Sequence, residues 1–136
     1  MFVYPTWWGG APALLKGFLE RIMLPGFAFI PCEGGIGYEG LLKGRSAQLI
    51  TTMDTPPLIY KLLYRQPGRN ALAKATLGFC GIRPVRYLAC GPVKDSTARQ
   101  RQAWLARAKF QGRQLERGRI SSFEWLQLDI LPHLQR

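Results

Sequence analysis

Hydrophobic residues along the chain form short apolar runs that alternate with stretches of helical spacing. The apolar runs, which predict strands of a buried sheet, lie at residues 1–4, 46–52 and 84–90. The stretches with apolar residues at helical spacing, which predict helices, lie at residues 12–24, 70–79 and 96–117. This order is typical of an α/β protein with helices on both faces of a parallel sheet.

Helix ends and loops are marked by residues with known positional preferences. Pro12 suits the first position of a helix, where its missing N–H is not needed. Asn70 is a candidate cap for the second helix, and Ser96 or Thr97 for the third. Residues 26–44 have too little periodicity for regular structure, so we interpret them as a long surface loop.

Two loops follow predicted strands at the edge of the sheet where α/β proteins bind ligands. Residues 5–12 leave the first strand and residues 51–57 leave the second. The first loop places Trp7 and Trp8 beside glycines, which together offer a flat apolar wall and approachable backbone amides. The second loop offers threonine hydroxyls and the Asp54 carboxylate. We expect a site for a flat ring with a polar rim, unless the two tryptophans instead pack in the core or at a subunit interface.

Composition places the chain among globular proteins, with 47% hydrophobic and 20% charged residues in a length of 136. No apolar run approaches the roughly 20 residues of a membrane-spanning helix. The net charge of +11 is uneven: residues 1–60 are neutral, and residues 61–136 hold fifteen basic and four acidic side chains. A basic half of this kind either is a solvated helical face or attracts an anionic partner.

The three cysteines, Cys32, Cys80 and Cys90, form no C-x-x-C pair and cannot all pair with one another. They therefore predict reduced thiols in a cytoplasmic protein, with Cys80 and Cys90 as small buried residues. The single histidine, His133, has no second ligand at a fitting spacing, so no metal site is expected.

The run from Tyr4 to Arg21, YPTWWGGAPALLKGFLER, resembles the hallmark of the flavodoxin-like NAD(P)H:quinone oxidoreductases. Further similar segments are Pro25–Phe29, Gly40–Arg45, Thr51–Thr52 and Gly78–Ile82. The resemblance implies FMN or FAD on a flavodoxin-like sheet, with hydride passing from NAD(P)H to the flavin and then to a quinone-like acceptor. It also implies a homodimer.

Carried over by position, the resemblance assigns residues to one site. The flavin-binding residues it implies are Pro5, Thr6, Trp7, Trp8, Gly9, Thr51, Thr52, Met53 and Asp54. Met53 and Asp54 depart from the family pattern, which has two glycines there. Tyr60 lies near the position of a tyrosine that polarises the quinone or the flavin in some members, so it is the candidate catalytic residue.

The family's first two strands and its flavin-phosphate loop have no counterpart in this sequence. We therefore expect residues 1–117 to form a partial flavodoxin-like domain of three strands, the carboxyl-terminal portion of such an enzyme, with an apolar first strand at an exposed edge. The apolar residues of 118–136 predict a docking tail.

Two other functions remain open. One is a non-catalytic flavodoxin-like interaction module, which retained flavin binding would count against. The other is a nucleic-acid binder that uses the basic side chains from Arg99 to Arg119 to contact phosphates. No recognition motif supports the second alternative, and it ranks last.

Overall fold

The computed structural model describes residues 1–116. Its strands are β1 (Phe2–Pro5), β2 (Phe29–Pro31), β3 (Tyr38–Gly40), β4 (Ala47–Thr52) and β5 (Val85–Cys90). Its helices are α1 (Ala13–Ile22), α2 (Pro57–Leu62), α3 (Pro67–Arg69), a π-helix (Asn70–Gly78) and α4 (Ala98–Glu116). The tail expected at 118–136 lies outside the described residues.

The main sheet has the order β1-β4-β5, and both strand pairs are parallel. β4 lies in the middle and is buried at every position except Thr52. β1 lies at the edge, where Val3 is exposed and only Tyr4 is buried. The three predicted strands and the exposed apolar edge strand are therefore confirmed.

Helices cover both faces of this sheet, because alternate residues of a strand point to opposite sides. Leu49 of β4 is fully buried in a core that α1 and the π-helix complete through Leu19 and Leu72. On the other face, Ile50 and its register partner Leu88 pack against Trp104 of α4. The predicted α/β architecture is confirmed.

The long loop expected at residues 26–44 is in part regular structure. β2 and β3 pair as an antiparallel ribbon, in which Phe29 faces Gly40. Gly40 lies so close to the backbone of residues 79–81 that a Cβ on it would lie 2.4 Å from the Cys80 carbonyl carbon. Tertiary packing, rather than a sequence period, holds these three-residue strands, so the loop prediction was wrong here.

Two predicted helix boundaries also differ. Asn70 does not cap a helix, because the helical segment already begins at Pro67. The side-chain amide of Asn70 donates instead to the Arg65 carbonyl at 2.7 Å. Pro12 is the residue that precedes the first turn of α1 rather than its first helical residue.

The predicted cap of the last helix is confirmed at Thr97. Its hydroxyl accepts from the Gln100 amide at 3.2 Å, and the Gln100 side-chain oxygen accepts from the Thr97 amide at 2.8 Å. This reciprocal pair is a capping box. Trp104 and Ala108 of α4 pack against the sheet, whereas Leu105 between them in sequence is exposed.

Candidate functional site

The candidate site is built where β1 and β4 end side by side. Pro5 and Thr52 are register partners, so the loops that follow them start next to each other. The Thr6 amide donates to the Thr52 carbonyl at 2.7 Å, and the hydroxyls of Thr6 and Thr51 are 2.6 Å apart. The structure thus brings together the two loops that the sequence predicted to share a site.

Residues Trp7–Gly10 close a tight turn. The Trp7 amide donates to the Gly10 carbonyl at 2.9 Å, and the Gly10 amide donates to the Trp7 carbonyl at 2.8 Å. Both central residues have positive φ, 49° at Trp8 and 76° at Gly9, as in a type I′ turn. This conformation suits Gly9, but it strains a bulky residue such as Trp8.

The strained turn holds two aromatic side chains in solvent. Trp8 is 102% exposed and Trp7 is 63% exposed. Neither tryptophan packs in the core, so the prediction of core packing is wrong, and packing at a subunit interface stays a prediction. A fully exposed indole on a strained turn is costly for a chain to keep, and such outliers cluster at functional sites.

Polar groups beside the turn are free to bind a ligand. Within residues 1–116, the amides of Trp8 and Gly9 have no hydrogen-bond acceptor. The Thr52 hydroxyl is exposed at the end of β4, whereas Thr51 is fully buried and bound to Thr6. Thr51 therefore supports the two loops through its bond to Thr6, and Thr52 is the one of the two threonines that is exposed.

The side chains of Met53 and Asp54 contact the chain itself. Met53 is buried, and the Asp54 carboxylate accepts from the Lys94 amide at 2.9 Å. The Val93 amide donates to the Met53 carbonyl at 3.1 Å, which joins this loop to the segment after β5. A ligand over Thr52 would therefore meet a loop that is anchored on its far side.

Tyr60 lies under the turn rather than above it. The side chain is 3% exposed, and its hydroxyl donates to the Gly9 carbonyl at 2.8 Å. The Gly68 amide donates to the same hydroxyl at 3.0 Å and to the Gly9 carbonyl at 2.9 Å. The sequence interpretation missed Gly68, although the Pro67–Gly68 pair is a turn signal.

Tyr4, Tyr60 and Tyr87 lie close enough together for Tyr60 to contribute to the pKa values of the other two. Burial, with a smaller contribution from Tyr60, raises the pKa of Tyr4 to about 12. Burial also raises the pKa of Tyr87 well above its usual value, and Tyr60 and Tyr4 add to that rise. The Tyr4 and Tyr87 phenols therefore stay neutral at physiological pH.

A cavity of about 520 Å³ lies between α1 and the π-helix and opens beside the turn. Trp8, Gly9 and Gly68 form one end, and Phe29 and Phe79 lie at the other. None of residues 51–54 lines it. The cavity and the Thr52 side of the turn are therefore two different surfaces that share Trp8 and Gly9.

The two buried cysteines, Cys80 and Cys90, are poorly suited to nucleophilic chemistry. Cys80 and Cys90 are buried, as predicted, and Cys32 is exposed. Burial raises the pKa of the Cys80 thiol, and burial also raises that of Cys90 although the Arg107 charge opposes it. Buried neutral thiols are poor nucleophiles. No group of three metal-ligating side chains occurs among the described residues.

A family model described as the flavodoxin-like fold, Flavodoxin_2, matches residues 1–112. The chain therefore belongs to this family, and the flavodoxin-like assignment made from the sequence is confirmed.

Relatives of the chain are similar over most of its length. It is 35% identical over 114 residues to an uncharacterized NAD(P)H oxidoreductase of Haemophilus influenzae, a match that covers 82% of this chain and 55% of the relative. It is 38% identical over 88 residues to the human ribosyldihydronicotinamide dehydrogenase [quinone], covering 61% of this chain and 37% of that enzyme. The chain spans about half the length, or less, of these curated relatives.

Solved structures agree with this assignment. Smu.1420 from Streptococcus mutans UA159 superposes with a TM-score of 0.68 at 32% identity, over 79% of this chain and 57% of that one. The NAD(P)H:quinone oxidoreductase from Methanothermobacter marburgensis superposes with a TM-score of 0.65 at 24% identity, over 83% of this chain and 53% of that one. The second match shows the shared fold alone.

Proposed function

We propose that this chain carries the flavin-ring and acceptor side of a flavin-dependent NAD(P)H oxidoreductase of the quinone reductase type. Relatives named NAD(P)H oxidoreductase and dehydrogenase [quinone] support the reaction class. The single observation that carries the proposal is the turn at the carboxyl edge of the sheet, which holds Trp8 fully exposed beside free backbone amides.

The described residues fit a flavin ring. The Trp8 indole offers a flat apolar surface, and the amides of Trp8 and Gly9 offer donors to a polar ring edge. Thr52 lies at the adjoining end of β4 and is exposed there. When FMN or FAD is bound, it supplies the hydride chemistry between NAD(P)H and a quinone, and the chain orients the ring and excludes water from one face of it.

Positive charge on this chain suits an anionic co-substrate. The basic excess lies in residues 61–136, which include Lys61 next to Tyr60 in α2 and Arg65 just after that helix. A positive surface raises the local concentration of NADPH or NADH and speeds their association. The nucleic-acid alternative has no additional support from the described residues.

We also propose a homodimer and a cytoplasmic location. Large apolar side chains are exposed on α2 and at its C-terminal end, namely Leu58, Leu62 and Leu63, and this helix is joined to the turn by the bond from Tyr60 to Gly9. An apolar patch of this kind marks an association surface. The three free thiols favour a reducing compartment. No helix within residues 1–116 is long and apolar enough to cross a membrane.

Titration of riboflavin, FMN and FAD into the chain, followed by flavin fluorescence, tests the proposal. Stacking on an indole quenches the flavin, so we expect saturable quenching with all three ligands, because the contacts above are to the ring they share. Trp8→Ala should weaken the affinity about tenfold, the order expected for one stacked aromatic pair. Phe110→Ala, which removes an exposed aromatic from α4, is the matched control.

Two outcomes would contradict the proposal. A folded chain that quenches none of the three flavins has no flavin site and fits the non-catalytic interaction module. Equal affinity in the chain and in Trp8→Ala would place any flavin site away from the turn.

A further inference from the structure

The Tyr60 hydroxyl donates one hydrogen bond to the protein backbone and accepts another from it. A phenol has one proton to donate, and at Tyr60 that proton goes to the Gly9 carbonyl at 2.8 Å. One of its lone pairs accepts from the Gly68 amide at 3.0 Å. Because the side chain is also 3% exposed, a ligand above the turn finds no free proton at this oxygen.

The same three residues form a closed network. The Gly9 carbonyl accepts from the Tyr60 hydroxyl and from the Gly68 amide, so both of its lone pairs are used. Gly68 has no room for a side chain, since a Cβ there would lie 2.7 Å from the Gly9 carbonyl oxygen and 3.0 Å from the Tyr60 hydroxyl oxygen. Because of these contacts, the backbone of α3 at Gly68 packs directly against the turn.

We infer that Tyr60 is a positioning residue, which together with Gly68 locks the strained Trp7–Gly10 turn in the conformation that presents Trp8. This role differs from the polarising role that the family resemblance implies for Tyr60. The lock itself stands on the described contacts alone, and only its consequence for flavin binding rests on the proposed function.

Amide hydrogen exchange on the ligand-free chain tests the lock without any flavin. Trp7 and Gly10 amides are bonded across the turn, so they report whether it stays closed. Tyr60→Phe removes the hydroxyl and should speed exchange at both amides about tenfold, the effect of losing one buried hydrogen bond. Tyr64→Phe, an exposed tyrosine four residues later, is the control and should change neither rate.

A second variant changes Gly68, the other residue that bonds to the Gly9 carbonyl. Gly68→Ala should open the turn at least as far as Tyr60→Phe, because the added methyl group meets backbone atoms of the turn. Exchange in β4 and β5 should stay as in the parent, which separates a local opening from a loss of fold. Unchanged exchange at Trp7 and Gly10 in Tyr60→Phe would overturn the inference.

Flavin readouts separate a positioning role from a catalytic one. A positioning Tyr60 predicts that Tyr60→Phe weakens flavin affinity and leaves unchanged the pH profile of flavin reduction at saturating flavin. Unchanged affinity with a slower, pH-shifted reduction would instead make Tyr60 a catalytic residue. If the parent binds no flavin, the proposed function fails, and the exchange rates still decide whether the lock exists.

Discussion

Trp8 provides a direct test of whether strain is stored in the turn. Its φ of 49° places a bulky residue in the left-handed region, and its indole is fully exposed. Replacing it therefore removes no buried surface. Asparagine is the residue that type I′ turns favour before glycine, so Trp8→Asn creates an Asn–Gly pair suited to this geometry.

The size of the effect follows from the backbone conformation. An ordinary side chain in the left-handed region costs about 1–2 kcal/mol, and asparagine relieves much of that cost. We expect Trp8→Asn to raise the free energy of unfolding by about 1 kcal/mol, which for a 136-residue chain raises Tm by roughly 3–5 °C. Trp8→Ala keeps a Cβ at the same φ and should bring no such gain.

Urea unfolding followed by far-UV circular dichroism measures the difference without relying on tryptophan fluorescence. The slopes should agree among the parent, Trp8→Asn and Trp8→Ala, and only the midpoint of Trp8→Asn should rise. Equal midpoints for the two variants would refute the claim of strain at Trp8. The same Trp8→Asn variant should bind flavin more weakly, so stability and binding are expected to change in opposite directions.

Three further predictions concern the frame of the site. Gly40→Ala should destabilise the chain by roughly 2–4 kcal/mol, because the added Cβ would lie 2.4 Å from the backbone of residues 79–81. Gly17→Ala, which has open space around it in α1, should stabilise the chain by about 0.5–1 kcal/mol, and thermal unfolding compares the two variants. A double-mutant cycle of Thr6→Val and Thr51→Val in urea should give a coupling of about 0.5–1.5 kcal/mol, and zero coupling would contradict the 2.6 Å hydrogen bond. Because the pKa of Tyr4 is raised to about 12, the neutral phenol stabilises the fold fully below pH 10, and this contribution of roughly 3 kcal/mol is lost as the pH rises from 10 to 12. The urea midpoint of the parent should therefore fall over this pH range, and Tyr4→Phe should reduce that fall. An equal fall in Tyr4→Phe would contradict the assignment to Tyr4.

The three strands of the main sheet were predictable because their determinants are local. Each main strand is an apolar run bounded by proline, glycine or polar residues, and α1 between the first two has a clear helical period. The β2–β3 ribbon was not predictable in this way. Its strands are three residues long and depend on Gly40 meeting the backbone of residues 79–81, a contact between segments far apart in sequence.

The candidate site was predictable in its loops and not in its support. Trp7 and Trp8 follow the first strand and Thr52 ends the second, so their place at the ligand-binding edge follows from a parallel sheet. The bond from Tyr60 to Gly9 joins residues 51 positions apart, and the backbone conformation of Trp8 follows from the turn that this bond holds. The apolar spacing of residues 70–79 predicted a helix there but not its π-helical hydrogen bonding, because over nine residues the two kinds of helix have similar patterns.

The visible absorption spectrum of the chain, with FMN or FAD added and excess removed by desalting, tests the central claim most directly. The account predicts a retained flavin band that bleaches when NADPH or NADH is added without oxygen and returns when a quinone is added. A folded chain that leaves the desalting step colourless at flavin concentrations well above its site concentration would contradict the claim that these residues form a flavin-binding oxidoreductase site.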